Sequence, residues 1–470
     1  MRKIFLGNGI DKIHFIGVGG ISMSGLAEIL FRDGYFISGS DESESETTER
    51  LRALGVEIKI GASAENIPAE TDLVVYTAAV RKDNVEYAGA VSRGLALADR
   101  AKLLGIIMES YEKKICVAGT HGKTSTTALV AEIFAAAGLD PTVSIGGYMK
   151  DGSNIRIGAQ KYFILEACEY SDSFLQWSPD VGIILNVDTD HLDYFGDMER
   201  LTQSFARFAK NISRDGTLAI WGETIGFDKI TSGLECKTVT YGIDGDYDFT
   251  ARNIAFDREG RPSFDIYKRT DFLSRAALKI TGEHQILNAL AAAAAASAYS
   301  IPNDSIGGGL NGAGGVRRRF EYKGVWNGAT VVDDYAHHPT EIKANLKAAR
   351  MKADGGGGRL VCAFQPHNYS RTKSLLDDFA ESFGDADLII LLPIYTSRES
   401  DAKDISSLDL LDKLRMKNAN AAYAGDFREA VGLLARSLKE GDLLITMGAG
   451  DVHRVGELLL RTGLSTISTD

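Results

Sequence analysis

The residues with the clearest chemical purpose are Lys123 and Thr124, at the end of Gly119-Thr120-His121-Gly122-Lys123-Thr124. This loop follows an apolar run, Lys114-Ile-Cys-Val-Ala118, and precedes a helical pattern from Ser125 to Phe134. A strand, a glycine-rich loop and a helix in that order present backbone N–H groups and a helix N-terminus to a triphosphate. Lys123 then reaches the terminal phosphates and the Thr124 hydroxyl suits Mg²⁺, with Gly119, Thr120, His121, Gly122 and Ser125 completing the ATP loop. The usual signature has a glycine five residues before Gly122, where this chain has Val117, so the loop is a shortened variant.

Other reactive side chains also follow apolar runs. Glu166 closes Tyr162-Phe-Ile-Leu-Glu166 and opens Glu166-Ala-Cys-Glu169-Tyr-Ser. It reads as a ligand for a hard cation such as Mg²⁺ or as a buried carboxylate paired with a lysine. His191, after Val181–Asn186 and Asn186-Val-Asp-Thr-Asp190, reads as a metal ligand or a hydrogen-bonded structural histidine. Gln285 and Asn288, one helical turn apart, could meet an adenine edge or serve capping and packing.

Near the N-terminus, Ile13–Gly17 runs into Gly17-Val-Gly19-Gly20-Ile-Ser22-Met23-Ser24-Gly25. Gly17 and Gly19 fit the dinucleotide fingerprint, whereas Ser22 stands where its third glycine belongs. The turn still offers N–H groups to a diphosphate, and Asp41, ending the next strand, is placed for a ribose hydroxyl. A nucleotide diphosphate, NAD(P) and a plain tight turn all fit this pattern.

Further along, Arg317-Arg318-Arg319 could hold a carboxylate or phosphate, or form a solvated run. Asp333-Asp334-Tyr335-Ala-His337-His338-Pro339 suggests substrate contact or hydrogen-bonded structure ahead of zinc, because adjacent loop histidines seldom share one metal. Phe364–Lys373, Ile394–Glu399 and the glycine turn Met447–Asp451 also follow strand patterns.

Positioning these groups requires strands alternating with helices, hence α/β domains with ligands at the carboxyl ends of parallel strands. The chain has 470 residues, enough for two or three domains. The expected division is 1–110, 111–320 and 321–470. The first contains strands at Tyr35–Ser40, Val56–Ile60 and Leu73–Thr77, a helix at Leu26–Arg32 and a polar stretch at Glu42–Arg50. The second has a β-like middle over Gly216–Ile280 and a helix over Gly282–Tyr299. The third carries Thr330–Asp334, Leu360–Phe364, Leu388–Leu392 and Asp442–Thr446, with Gly355–Gly358 as a flexible surface loop.

Fifty glycines suit many tight loops, and a net charge of −12 argues against nucleic-acid or anionic-membrane partners. Four dispersed cysteines without C-x-x-C spacing read as buried, reduced thiols. No stretch reaches the ~20 apolar residues of a membrane span, so a cytoplasmic location is expected.

Taken in order, these motifs resemble the Mur ligases across essentially the whole chain. The resemblance rests on His14–Ala27, Ser38-Gly-Ser-Asp41, Gly119–Thr124, Glu166-Ala-Cys-Glu-Tyr170, Asp190-His191, Arg318-Arg-Phe320, Asp333–Glu341, Phe364-Gln-Pro-His367 and Gly448-Ala-Gly-Asp451. It implies a Rossmann-like UDP-sugar-binding first domain, a central P-loop-type ATPase domain and a Rossmann-like C-terminal domain that closes over both. The implied reaction joins L-alanine to the carboxylate of UDP-N-acetylmuramate with ATP and Mg²⁺, through an acyl phosphate, in peptidoglycan synthesis. Closure would protect that intermediate from water.

By family role Lys123 binds the β/γ-phosphates, Thr124 and Glu166 hold one Mg²⁺, and His191 binds a second near the sugar carboxylate. Gln285 and Asn288 meet adenine, while Gly17, Gly19, Gly20, Ser22, Met23, Ser24 and Asp41 serve the UDP-sugar. His337, His338, Arg318 and Arg319 are the candidates for holding the sugar carboxylate or the amino acid. Three positions depart from the family pattern: Gln285 stands where Asn is usual, Asn368 replaces a frequent Arg, and Tyr76-Thr-Ala-Ala-Val80 differs from Ser-Ser-Ala-Ile. Within the class the rival is a murein-tripeptide recycling ligase. Outside it, an NAD-binding oxidoreductase or sensor would explain the N-terminal glycines but leave Lys123, Thr124 and Glu166 without a task.

Overall fold

Parallel strands with helices on both faces are buried on both sides, and the central strands of this chain follow that rule. Lys12–Ile16 buries four of its five residues, and Leu388–Leu391 and Leu443–Met447 bury every one. The computed structural model describes residues 4–77, 80–396, 399, 404–417 and 419–464. Ala78, Ala79, Ser397 and Arg398, from two of the strand-end motifs, lie outside the described residues.

The chain divides into two compact units, Met1–Thr240 with Ala291–Ile306, and Tyr241–Leu290 with Gly307–Asp470. The first unit holds two largely parallel sheets. One has five strands in the order Glu57–Ile60, Phe36–Asp41, Lys12–Ile16, Leu73–Tyr76, Ala96–Asp99. Its order reverses beside the central strand, so the Gly17–Gly20 turn opens at a topological switch point, where such sheets bind ligands. In the other, Lys113–Ala118 lies between Val181–Ile184 and Tyr162–Glu166, with Thr217–Trp221 beyond the former and Thr142–Ser144 beyond the latter. The phosphate loop therefore leaves the middle of a sheet, flanked by the strand ends that carry Glu166 and Asn186.

The second unit contains a three-stranded antiparallel meander, Phe249–Phe256, Pro262–Lys268 and Asp271–Ala277. It also contains a six-stranded sheet in the order Glu321–Trp326, Ala329–Asp334, Leu443–Met447, Leu360–Phe364, Leu388–Leu391, Ala421–Tyr423. Only the Glu321–Trp326 edge strand of this sheet runs antiparallel to its neighbour. The α/β class and its three parallel-rich sheets are as the sequence indicates.

Some local expectations change. The polar stretch at 42–50 contains the start of a helix, Glu46–Leu54, because Ser45 and Thr48 form a reciprocal capping box at its N-terminus. The flexible loop expected at Gly355–Gly358 is instead mostly helix end. Pro339–Gly356 stays helical, and Gly357, at φ 73°, supplies the left-handed residue that terminates it. The expected Gly282–Tyr299 helix spans His284–Ala298, and the Gly216–Ile280 segment is β-rich with one short helix, Phe227–Thr231.

Candidate active site

The phosphate loop is built by its neighbours in the sheet. Gly119, at φ 140°, lies so close to the next strand that a Cβ would stand 2.8 Å from Leu185 Cβ and 3.1 Å from its backbone nitrogen. Only glycine fits there. Asn186 fixes the loop: its Oδ1 accepts from the His121 N–H at 2.8 Å, and its Nδ2 donates to the His121 carbonyl at 3.1 Å. Asp188 adds its N–H to Thr120 Oγ1 at 2.9 Å and a carboxylate oxygen 3.0 Å from His121 Nε2. Gly122, at φ 84°, turns the chain into the helix Lys123–Ala136. Thr124 is buried in the first turn of that helix, while Ser125 is half-buried.

Lys123 folds back beneath this loop. Its ammonium donates to the carbonyls of Gly119 and Thr120 and to both oxygens of Glu169, at 3.1 and 2.9 Å. Burial alone would lower the lysine pKa, but the Glu169 carboxylate outweighs it and holds the ammonium well above its ordinary value. Glu169 is 1% exposed, so this is a largely desolvated pair. His191 approaches the same carboxylate, with Nε2 3.8 Å from Glu169 Oε1. Its backbone sits at φ 56°, an uncommon region for a non-glycine residue, and its ring packs against Tyr170 with centroids 4.9 Å apart. Glu166 ends its strand nearby, with Oε2 accepting the Gly146 N–H at 2.6 Å. Two carboxylates, a lysine and a histidine thus gather around the loop. The buried lysine partner is Glu169; the sequence pattern had offered that pairing only as the alternative for Glu166.

At the glycine turn of the first sheet, the Gly17 and Val18 N–H groups both donate to the Ser40 carbonyl at 2.9 Å. The Gly19 N–H donates to Asp41 Oδ2 at 2.8 Å, and the Gly20 N–H to the Gly17 carbonyl at 3.2 Å. Asp41, expected near a ribose, thus has one oxygen engaged in shaping the turn. The following helix begins at Ile21, earlier than the expected Leu26. Within it Met23 and Ser24 are buried, and the Ser24 hydroxyl bonds back to the Ile21 carbonyl, while Ser22 remains half-buried. Beneath the turn, Ser40 donates to fully buried Glu86, which also accepts from Asn66 Nδ2 at 2.6 Å and faces His14 Nε2 at 3.6 Å. Burial pushes the Glu86 carboxyl up, but the neighbouring His14 and the hydrogen bonds from Ser40 and Asn66 outweigh it and leave the pKa lowered.

The remaining candidates belong to the second unit. Gln285 and Asn288 join a buried chain: Gln285 Nε2 donates to His284 Nε2 at 3.0 Å, and Asn288 Nδ2 donates to Gln285 Oε1 at 2.9 Å. Burial drives the His284 pKa down to about 4, consistent with the neutral imidazole that this acceptor role requires. Arg318 is held by its neighbours: Nε donates to Asp333 Oδ2 at 3.0 Å and Nη2 to the Gly448 carbonyl at 2.6 Å. Arg319 stands over the Tyr335 ring at 5.1 Å, with Glu341 at 3.9 Å. His337 Nδ1 lies 3.0 Å from the Tyr335 carbonyl. His338 caps the Pro339–Gly356 helix, its Nδ1 accepting the Thr340 N–H at 3.3 Å. Buried Asp334 accepts the N–H groups of Phe320 and Ala336, both at 2.7 Å, while burial raises its pKa to about 6.

Sequence reasoning passed over Glu169, Asn186, Asp188, His14 and Glu86. The first three lie within the strand-end motifs Glu166–Tyr170 and Asn186–Asp190, and their position at strand ends beside the loop is the signal that marks them. His14 and Glu86 meet only through tertiary packing.

A switch-point glycine turn on one parallel sheet and a phosphate loop on another define a multidomain, nucleotide-binding α/β protein. Three family models match in succession: "Mur ligase family, catalytic domain" over residues 12–112, "Mur ligase middle domain" over 117–296, and "Mur ligase, glutamate ligase domain" over 318–450. The UDP-N-acetylmuramate–L-alanine ligase of Agathobacter rectalis is 48% identical, covering 96% of this chain and 97% of that protein. The crystal structure of the UDP-N-acetylmuramate–alanine ligase of Thermotoga maritima aligns with a TM-score of 0.82 at 28% identity, over 97% of this chain and 99% of that one. A murein peptide ligase from Psychrobacter arcticus aligns at 0.72 and 25% identity, over 98% of this chain and 100% of that one. The chain belongs to the Mur ligase family.

Proposed function

We propose that the protein joins L-alanine to the carboxylate of UDP-N-acetylmuramate, converting ATP to ADP and phosphate, as a cytoplasmic step of peptidoglycan synthesis. The observation that carries this reading is the 48% identity to an L-alanine ligase along nearly the entire length of both chains. The geometry supplies the chemistry. A carboxylate must attack an anionic γ-phosphate, so the site has to offset that repulsion and stabilise charge on the phosphoryl group in transfer. A new O–P bond forms on the sugar carboxylate while the bond to the β-phosphate oxygen breaks and ADP leaves. The amine of alanine then attacks the acyl carbon, and phosphate departs.

Lys123 is the cation for the β/γ-phosphates on this reading. Its present partners are two loop carbonyls and Glu169, so an arriving triphosphate exchanges neutral acceptors for anionic ones. The donor set also suits a divalent cation, because buried Glu169, Glu166 and the Thr124 hydroxyl are hard oxygen donors grouped around the loop. Glu166, Glu169 and Thr124 would hold Mg²⁺ beside the phosphates, with His191 toward the sugar carboxylate. Bound there, the ion supplies charge neutralisation and orients the phosphates. Gln285 and Asn288 take the adenine, and Gly17–Ser24 with Asp41 take the UDP moiety. His337, His338, Arg318 and Arg319 are the candidates for the acceptor carboxylate and amino acid. Residues 1–110, 111–320 and 321–470 divide these tasks as sugar-binding, ATP-binding and completing domains.

Phosphate release with ATP, Mg²⁺ and UDP-N-acetylmuramate tests the reading. L-alanine should support turnover, and an L-alanyl-γ-D-glutamyl tripeptide should not. Turnover with the tripeptide alone would instead identify a murein-peptide ligase. NADH binding with no response to ATP would remove the protein from ligase chemistry.

A further inference from the structure

Arg100 stands at the glycine-turn end of the first sheet. It opens the helix Arg100–Met108 directly after the parallel strand Ala96–Asp99, whose carboxyl end lies on the same edge as the Gly17–Gly20 turn. Its Nη1 donates to Ser22 Oγ at 3.0 Å. Among the described residues this is its only hydrogen bond, and no carboxylate lies within ion-pair distance of it. Its chain neighbour Asp99 caps the same helix, accepting the Lys102 N–H at 3.0 Å. The Cys168 thiol, from the segment between Glu166 and Glu169, also lies within its electrostatic reach. Burial pulls the guanidinium pKa down, with Cys168 and Asp99 acting the other way.

A guanidinium carries five N–H donors in a fixed fork, and here a single hydrogen bond is made. A largely desolvated cation without a counter-ion is costly, and an anion arriving at the fork relieves that cost. The backbone donors of Gly17, Val18, Gly19 and Gly20 are already engaged within the turn and with Ser40 and Asp41. A ligand at this edge therefore meets a guanidinium in Arg100, oriented by Ser22. The planar fork matches two oxygens of a phosphate pair better than a point charge would.

We propose that Arg100, oriented by Ser22, binds the diphosphate of the UDP-sugar. The assignment rests on the reading of UDP-N-acetylmuramate as substrate, which offers two anions, the diphosphate and the lactyl carboxylate. The contact to Ser22, in the first turn after the glycine loop, favours the diphosphate.

The test measures affinities of the full-length protein and its Arg100→Met and Arg100→Lys variants for uridine, UDP, UDP-N-acetylmuramate and ATP. Arg100→Met should weaken UDP and the UDP-sugar alike by about 10- to 100-fold, as expected for losing a charged hydrogen-bond partner. Uridine and ATP affinities should stay within about twofold, a readout that merely structural damage would not spare. Arg100→Lys should recover part of the UDP affinity, because it restores the charge without the fork. Unchanged UDP affinity, or an equal loss for uridine, overturns the proposal. Weakening of the UDP-sugar with UDP unaffected also overturns it, and assigns Arg100 to the carboxylate. Wild-type protein that binds neither UDP nor the UDP-sugar would overturn the substrate reading itself, and this assignment with it.

Discussion

Lys123 is held by a carboxylate that stands 46 residues further along the chain. The glycine-rich motif makes the lysine legible from sequence, because its neighbours in the chain are also its neighbours in space. Glu166 ends a strand that Glu169 follows, and nothing in their order says which one turns back toward the lysine. Packing decides it, since Glu169 is the one that ends up 1% exposed. Replacing Glu169 with Gln strands a buried ammonium, so unfolding stability should fall by about 3–5 kcal/mol. Phosphate release should drop at least ~100-fold as the catalytic charges lose their arrangement. Denaturant titration and a phosphate assay check these two effects separately; a variant with wild-type values in both would show that the pair is incidental.

His284 provides a pH signature at the same scale. Its folded pKa of about 4 lies below the ordinary 6.5, so the unfolded chain takes up the proton first as the pH falls. Its neutral state therefore contributes stability that is complete above about pH 6.5 and is lost as the pH drops toward 4. The loss amounts to roughly 2–3 kcal/mol over that window. Asp334 runs the other way. Its pKa is raised to about 6, so the folded state binds the proton first and gains relative stability as the pH falls through that value. Urea midpoints of wild type and His284→Asn across this range separate the two. The variant should lack the decline assigned to His284, and an identical decline in both would contradict it.

Among the elements, the strand-loop-helix units were readable because hydrophobic runs bounded by glycine mark parallel strands and their turns. The Glu46–Leu54 helix was harder to read, because it begins in an acidic stretch and depends on a local cap. Ser45 accepts the Thr48 N–H at 3.2 Å, and Thr48 Oγ1 accepts the Ser45 N–H at 2.9 Å. Thr48 Cγ2 in turn lies 3.0 Å from where a Gly19 Cβ would stand, so this helix backs the glycine turn. Ser45→Ala should cost about 1 kcal/mol by thermal or chemical unfolding. Gly119→Ala acts on the other loop, where a methyl group would meet Leu185 at 2.8 Å. It should weaken ATP binding at least ~10-fold while sparing UDP affinity, because the displaced loop belongs to the other sheet. Equal weakening of both ligands would point to general damage.

Across the whole molecule, the order of the motifs carried more than any one of them. The glycine turn alone admitted NAD, and the phosphate loop alone admitted any triphosphate-using enzyme. In sequence with Asp190-His191 and Asp333–Glu341 they matched one family along the chain, as the three family models now do. Arg100 had no such context in the sequence. It is a single arginine after a strand, and its having no counter-ion among the described residues is a property of the fold. No helix among the described residues is long and apolar enough to cross a membrane. If nucleotide and sugar sites are separate, Lys123→Ala should abolish phosphate release while leaving UDP-sugar affinity within about twofold. A comparable loss of UDP-sugar affinity would contradict that separation.

On the proposed function, the sugar carboxylate is activated as an acyl phosphate before the amine attacks. The most direct measurement uses UDP-N-acetylmuramate labelled with ¹⁸O in both carboxylate oxygens, turned over with ATP, Mg²⁺ and L-alanine, with the released phosphate read by mass spectrometry. Each released phosphate should carry one labelled oxygen, and the amide product should retain the other. Amide formation accompanied by unlabelled phosphate would contradict it, because the carboxylate oxygen would never have been bonded to phosphorus.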